Sequence, residues 1–185
     1  MSSGVPAHSV KRRRRVIRGW ILVVIIGLLV AAGVRAFVFE SFFVPSGSML
    51  PTIQVGDHMI VDKLSYDLHR IGFGDIVVFR KPANDPAGPN VRYLVKRVIG
   101  LPGQVIASHG GKVYINGAPI AEPFLAKGVS TYGIPRQRIP RGEYYVLGDN
   151  RGNSADSRVF GPIRQSLIVG RVVLVYWPLG QWHYF

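Results

Sequence analysis

An uncharged apolar run, Trp20 to Val34 (WILVVIIGLLVAAGV), stands directly behind the basic block Lys11-Arg12-Arg13-Arg14-Arg15. No other feature limits the possible folds of this chain as much. A bilayer core takes about 20 residues of helix, with roughly 17 to 25 tolerated. Residues 16–34 reach that length if Arg18 snorkels its guanidinium toward the headgroups. Trp20 stands where an interfacial aromatic belongs. Arg35 interrupts the run, and Ala36–Phe39 resumes it. The positive-inside rule keeps the basic block in the cytoplasm and puts everything after Arg35 outside. The expected organisation is a basic cytoplasmic tail over residues 1–15, a transmembrane anchor over 16–38 and an extracytoplasmic domain over 39–185, in a single-pass protein of the cell membrane. A cleavable signal peptide, with Val34-Arg35-Ala36 before Phe37, is the main competing reading, and a buried core helix the other. Both membrane readings export the body of the chain.

The formal net charge of +13 invites a nucleic-acid reading, so its location matters. Lys11, Arg12–Arg15, Arg18 and Arg35 hold seven of the 23 basic residues, while all ten acidic residues lie at Glu40 or later. The remainder carries sixteen basic residues against ten acidic, a balance of +6. A polybasic tail beside anionic lipid accounts for this asymmetry, and no nucleic-acid partner is expected. The chain has no Cys, which excludes disulfides, zinc–thiolate sites and thiol catalysis without fixing the compartment.

After Phe39, Gly and Pro recur at short intervals. Between them lie β-branched and aromatic runs at His58–Val61, Asp75–Phe79, Tyr93–Ile99, Lys112–Ile115, Glu143–Leu147 and Ile168–Tyr176. This spacing predicts a mostly β, antiparallel domain. Asn116-Gly117 after Val113-Tyr114-Ile115 signals a two-residue hairpin. Lys63–Arg70 is the best short helix, residues 84–90 form a loop, and Ala126–Arg141 reads as an irregular connection. Leu167–Tyr176, interrupted by Gly170 and Arg171, reads as a buried strand and not a second span.

Three segments carry the chemistry, two of them polar and the one between them an apolar strand. The first is Pro45-Ser46-Gly47-Ser48-Met49-Leu50-Pro51-Thr52. The second is Tyr93-Leu94-Val95-Lys96-Arg97-Val98-Ile99-Gly100-Leu101-Pro102-Gly103. The third is Gly148-Asp149-Asn150-Arg151-Gly152-Asn153-Ser154-Ala155-Asp156-Ser157-Arg158. A serine needs a base to become a nucleophile at neutral pH. His8 lies in the tail, and His58, His69, His109 and His183 are scattered without a carboxylate pattern or metal-ligand spacing. Lys96 is the alternative base. In a strand it shares a face with Leu94 and Val98, and burial there favours the neutral amine. Ser48 follows Gly47 in a Pro-bounded turn that presents its hydroxyl, and Ser46 or nearby backbone N–H groups are placed for a developing oxyanion. Taken singly, each segment also reads blandly: a lysine snorkelling at a sheet edge, an ordinary Ser/Gly turn, a self-satisfied polar loop.

In this order behind an N-terminal apolar run, the three motifs resemble bacterial type I signal peptidase (leader peptidase), a serine/lysine-dyad protease family, over essentially the chain from Arg35 onward. The resemblance implies a signal-peptidase-type catalytic domain of antiparallel sheets with one N-terminal transmembrane helix. It implies Ser48 as nucleophile and Lys96 as general base. Ser46 assists the oxyanion, Ser154 hydrogen-bonds and orients the lysine, and Asp156 and Arg158 form a supporting ion pair. Val44, Met49 and Val95 line the approach to the nucleophile and its small pockets. No cofactor or metal is implied. The implied partners are signal peptides of exported preproteins, the lipid bilayer and the secretion translocon. Gly152 departs from the family's frequent Asp, and the short interval after the lysine matches compact, single-anchor members. The aromatics Trp177, Trp182, Tyr184 and Phe185, with residues 37–44, are expected to dip into the membrane interface. A self-cleaving-repressor-type Ser/Lys protease and a catalytically idle membrane-tethered binding protein are the alternatives.

Overall fold

The first element, α1 (His8–Val38), is a 31-residue helix, about 46 Å long at 1.5 Å per residue. The computed structural model describes residues 8–178, 180 and 182–185, leaving aside the side chains of 8–16, 34–37 and 67. The chain divides into two units, Met1–Val38 and Phe39–Phe185. Within α1, Trp20, Leu28 and Leu29 are each about two-thirds exposed. Among the described residues no helix is long and apolar enough to cross a membrane. The anchor over 16–38 therefore remains an expectation, since several of its side chains lie outside the described residues. Of the expected basic tail, residues 1–7 lie outside them too, and α1 begins at His8, inside that tail.

The second unit is the expected mostly β, antiparallel body. Its strands are β1 (Phe39–Phe43), β2 (His58–Asp62), β3 (Ile76–Arg80), β4 (Tyr93–Gly100), β5 (Val105–His109), β6 (Lys112–Ile115), β7 (Ala118–Pro119), β8 (Gln137–Arg138), β9 (Glu143–Leu147), β10 (Ile163–Arg164), β11 (Ile168–Trp177) and β12 (His183–Tyr184). The large sheet runs β1-β2-β11-β3-β4-β9-β10, with β12 on β11; the small one runs β7-β6-β5-β8. One-turn helices α2 (Ser65–Leu68) and α3 (Ser157–Phe160) complete the fold. Lys63–Arg70 thus shortens to α2, and α3 begins at the end of the segment Gly148–Arg158, which the sequence reads as a polar loop, and runs two residues past it.

β3 shows why the sheet is central. Ile76, Val77, Val78 and Phe79 are all buried. Ile76 and Val78 join one core with Val44, Met49, Ile53 and Met59. Val77 and Phe79 join another with Val98, Val146 and Phe160 on the opposite face. A continuous apolar run is what a strand covered on both sides requires. A third core fills the space between the sheets, where Ile99, Tyr145 and Leu147 meet Ile106, Val113 and Ile139. Gly170 serves β11 at a bulge. A Cβ there would lie 2.3 Å from the Asp62 carbonyl oxygen of β2, a close backbone approach that explains a glycine within a strand. The Asn116-Gly117 turn joins β6 to β7 with φ of 52° and 86°, the left-handed pair a two-residue hairpin needs.

Candidate active site

Ser48 sits in a tight turn just past β1. The Ile53 N–H donates to the Met49 carbonyl at 3.0 Å and the Leu50 N–H to the Gly47 carbonyl at 3.3 Å. Met49 and Ile53, fully buried, plug the turn into the core. The loop after β9 clamps it from the other side. The Asn150 N–H donates to the Ser48 carbonyl at 3.0 Å, and Asn150 Nδ2 donates to the Gly47 carbonyl at 3.0 Å.

Lys96, on β4, points into the same place. Its Nζ donates to Ser48 Oγ at 2.8 Å and to the Val95 carbonyl at 2.9 Å. It is 3 % exposed and Ser48 8 %. Burial pushes the Lys96 ammonium down to about 8, against the pull of Asp156, Asp85 and Asp149. Desolvation therefore outweighs three carboxylates. The shared face of Leu94, Lys96 and Val98 is realised, since Leu94 and Val98 both pack in the second core.

Two of the three carboxylates around the lysine, Asp156 and Asp149, have arginine partners of their own. Asp156 receives Arg158 Nε and Nη2, each at 2.8 Å, and the Gly148 N–H at 3.1 Å, and caps α3 through the Arg158 N–H. The ion pair suggested by the motif is thus present, with Asp156 fully buried. Sequence reasoning assigned no role to the second pair. Asp149 receives Arg97 Nε at 2.9 Å and Nη2 at 2.7 Å, and Thr52 Oγ1 at 2.5 Å. Arg97 also donates to the Gly74 carbonyl and stacks over the Phe124 ring at 4.1 Å. Arg151, buried, pairs with Glu122 at 2.6 Å and with Thr131, tying the 122–131 connection to the site loop. Thr52, Arg97, Asp149 and Asn150 all lie inside the three motifs. Opposite charges brought together from distant motifs were the available signal. Asp85, in the 84–90 loop, carried none.

Two expectations meet a different geometry. Ser154 makes no bond to the lysine: its Oγ is buried without a hydrogen-bond partner. It packs against Gly148, where a Cβ would lie 2.2 Å from that oxygen. Met49 is in the core beneath the turn and not in the groove wall, because its apolar side chain is the plug that seats the turn. Ser46 is exposed at the groove mouth, and around Gly152 the space is open.

A groove of about 300 Å³ leads to Ser48 and Lys96. Val44 and Val95 line it as expected, with Phe42, Met59, Val78 and Tyr93. One wall is a strand edge. β3 pairs with β4 along Tyr93–Arg97, but β9 joins the opposite side only from Arg97 onward. The Tyr93–Lys96 edge is therefore open to an added strand. Among the described residues no group of three His, Cys, Asp or Glu is arranged to hold a metal ion.

The model of the family described as "Signal peptidase, peptidase S26" matches residues 17–177. The probable signal peptidase I-1 of Synechocystis sp. is 39% identical over 85% of this chain and 81% of its own length. The signal peptidase I V of Bacillus subtilis is 39% identical over 83% of this chain and 95% of its own. A crystal structure of a signal peptidase I from Enterococcus faecalis V583 is 29% identical and covers 56% of this chain and 97% of that one, at a TM-score of 0.44.

Proposed function

The chain belongs to the signal peptidase family, peptidase S26, and is an enzyme that removes signal peptides from exported precursors; from that premise we propose that it does so with Ser48 as nucleophile and Lys96 as general base. The observation that carries this reading is the 2.8 Å contact between Lys96 Nζ and Ser48 Oγ in an apolar groove. A lysine brought down to about 8 supplies a neutral amine near physiological pH.

The precursor binds extended along the open Tyr93–Lys96 edge, with Phe42–Ser46 as the facing wall. Lys96 takes the Ser48 proton as Oγ attacks the scissile carbonyl. The Ser46 hydroxyl and backbone N–H groups of the turn receive the oxyanion. The lysine ammonium then protonates the leaving amine, leaving an acyl-serine. The amine next draws a proton from water, which attacks the ester and frees the enzyme. An ammonium has three donors; two are engaged, and the partnerless Ser154 Oγ is assigned the third. Asn150 and the two arginine–aspartate pairs hold these groups in register.

We also place the enzyme at the cell membrane, anchored by α1, with the basic tail in the cytoplasm and the catalytic body outside, working beside the translocon. The uncharged run inside a 31-residue helix supports the anchor. Exposed aromatics support an interfacial position for the body. Phe43 and Trp177 sit at one end of the sheet, both opposite His58, with Trp182 and Tyr184 also exposed. The direct test incubates the purified full chain in detergent with a precursor and reads the new N-terminus by mass spectrometry, with Ser48→Ala and Lys96→Arg alongside. Cleavage by either variant at the native rate overturns the dyad.

A further inference from the structure

Of the three carboxylates that act on Lys96, two are taken. Both oxygens of Asp156 are held by Arg158, and both of Asp149 by Arg97, with Thr52 adding a third bond. Asp85 differs. It lies in the loop between β3 and β4 and is 7 % exposed. Its Oδ1 accepts the Ala87 N–H at 2.8 Å, but its Oδ2 is buried with no partner. The cation of its own loop, Lys81, donates instead to the Ala87 and Gly88 carbonyls at 2.6 and 3.2 Å. Asp85 lines the same groove as Ser48 and Lys96. A buried carboxylate oxygen left unmet is costly, and the loop has no need of the charge: an asparagine would accept the same bond from Ala87.

We infer that Asp85 is a positioning residue of the catalytic site, whose uncompensated negative charge in the groove wall steadies the Lys96 ammonium that forms when Ser48 gives up its proton. This rests on the dyad reading. In that step the proton moves from Ser48 Oγ to Lys96 Nζ and a bond forms from Oγ to the substrate carbonyl carbon. The carbonyl's π electrons go to its oxygen. An oxyanion and a buried cation appear together. The charged groups facing that cation are Asp156 with Arg158 ahead of α3, Asp149 after β9 with Arg97 from β4, and Asp85 with Lys81 from the β3–β4 loop. Asp156 pulls hardest on the lysine but is itself bound by Arg158, and Asp149 by Arg97, so Asp85 adds to that field the carboxylate charge that no arginine offsets. Before the reaction the same charge restrains the effect of burial, which keeps the amine from becoming too weak a base.

The test uses the full chain carrying Asp85→Asn, with Asp85→Glu and Asp85→Ala beside it. One measurement is the pH profile of precursor cleavage. The other follows the Lys96 titration by NMR of ¹³Cε-labelled lysine in a Ser48→Ala background, which does not depend on activity. Asp85→Asn should move the Lys96 titration and the acid limb of the rate profile to lower pH by at least about half a unit, roughly threefold, while the plateau rate falls. Asp85→Glu should recover part of both, and Asp85→Ala should repeat the shift with a lower melting temperature. An unmoved titration in Asp85→Asn overturns this inference alone. A moved titration with an unmoved rate profile overturns the dyad reading, and this inference with it.

Discussion

Gly148 lies so close to the turn bearing the nucleophile that a Cβ on it would stand 2.5 Å from the Ser48 carbonyl oxygen. Its own N–H is meanwhile bound to Asp156. The glycine is therefore the point at which the loop after β9 sets the height of the serine above the sheet.

Gly148→Ala should push the Ser48 peptide away and break the Asn150 bond to its carbonyl. A misplacement of the order of 1 Å costs about 10²-fold, so kcat should drop at least that far. Ser154→Ala in the same chain should not rescue it, because the collision with backbone remains. Restored activity in the double variant would show that the crowding comes from Ser154 instead.

Cleavage should rise with pH and reach half its plateau near the pH at which Lys96 titrates, about 8. Lys96→Arg, which stays protonated, should lose at least about 10²-fold. Steady-state rates between pH 6 and 10 with a fluorogenic precursor peptide check both points.

The base is bought at the expense of stability. Lys96 has a depressed value in the folded chain and the ordinary 10.5 when unfolded. Between about 8 and 10.5 the unfolded state binds more protons, so stability rises with pH through that window. Below about 8 the full penalty is present. Lys96→Met, of similar volume and uncharged, should raise stability at pH 7 by up to about 3 kcal/mol while abolishing cleavage. Urea unfolding of both proteins at pH 7 and pH 10 measures it, and the gap should narrow at the higher pH.

Removing one side of a buried pair leaves a bare charge, at a cost of about 3–5 kcal/mol. Asp156→Ala and Asp149→Ala should each lower the melting temperature sharply, since Arg158 and Arg97 lose both of their carboxylate bonds. Ser154→Ala removes a hydroxyl that has no partner, so its melting temperature should hold or rise while its rate falls. A stable but inactive Asp156→Ala would move that carboxylate from support into the chemistry.

The apolar half of the groove, walled by the β-branched Val44 and Val95, should accept only small residues at −1 and small or modest aliphatic ones at −3. Overpacking costs roughly 1–3 kcal/mol. The −2 side chain points to the other face of an extended peptide and should vary widely. Val95→Ala should admit a larger residue at −1 or −3. Product sequencing from a randomised precursor library reads this directly.

Much of this body is legible from local pattern. The runs at Lys112–Ile115 and Glu143–Leu147 became β6 and β9 without adjustment, because each is bounded by turn residues. β1 is not legible. Phe39–Phe43 follows α1 with no breaker between them, so its apolar residues read on from the helix. Two-residue strands such as β7 and β8 exist only through their partners. In the site, motif order points to Ser48 and Lys96. Arg97 beside Asp149, 52 positions away, and the lone charge of Asp85 depend on which strands become neighbours, and no local pattern encodes that. Met49 misled because an apolar residue beside a nucleophile fits a pocket wall and a core plug equally well.

β11 has a consequence for when the enzyme comes alive. It lies between β2 and β3 in the large sheet, so the edge that carries the serine turn and the strand that carries the lysine are bridged by a segment from near the end of the chain. A copy lacking residues 168–177 has the two reactive groups but no strand joining their halves in the sheet. In such a copy the lysine should be more hydrated and so more readily protonated at neutral pH. Proteolytic power should thus depend on β11 being in place between β2 and β3.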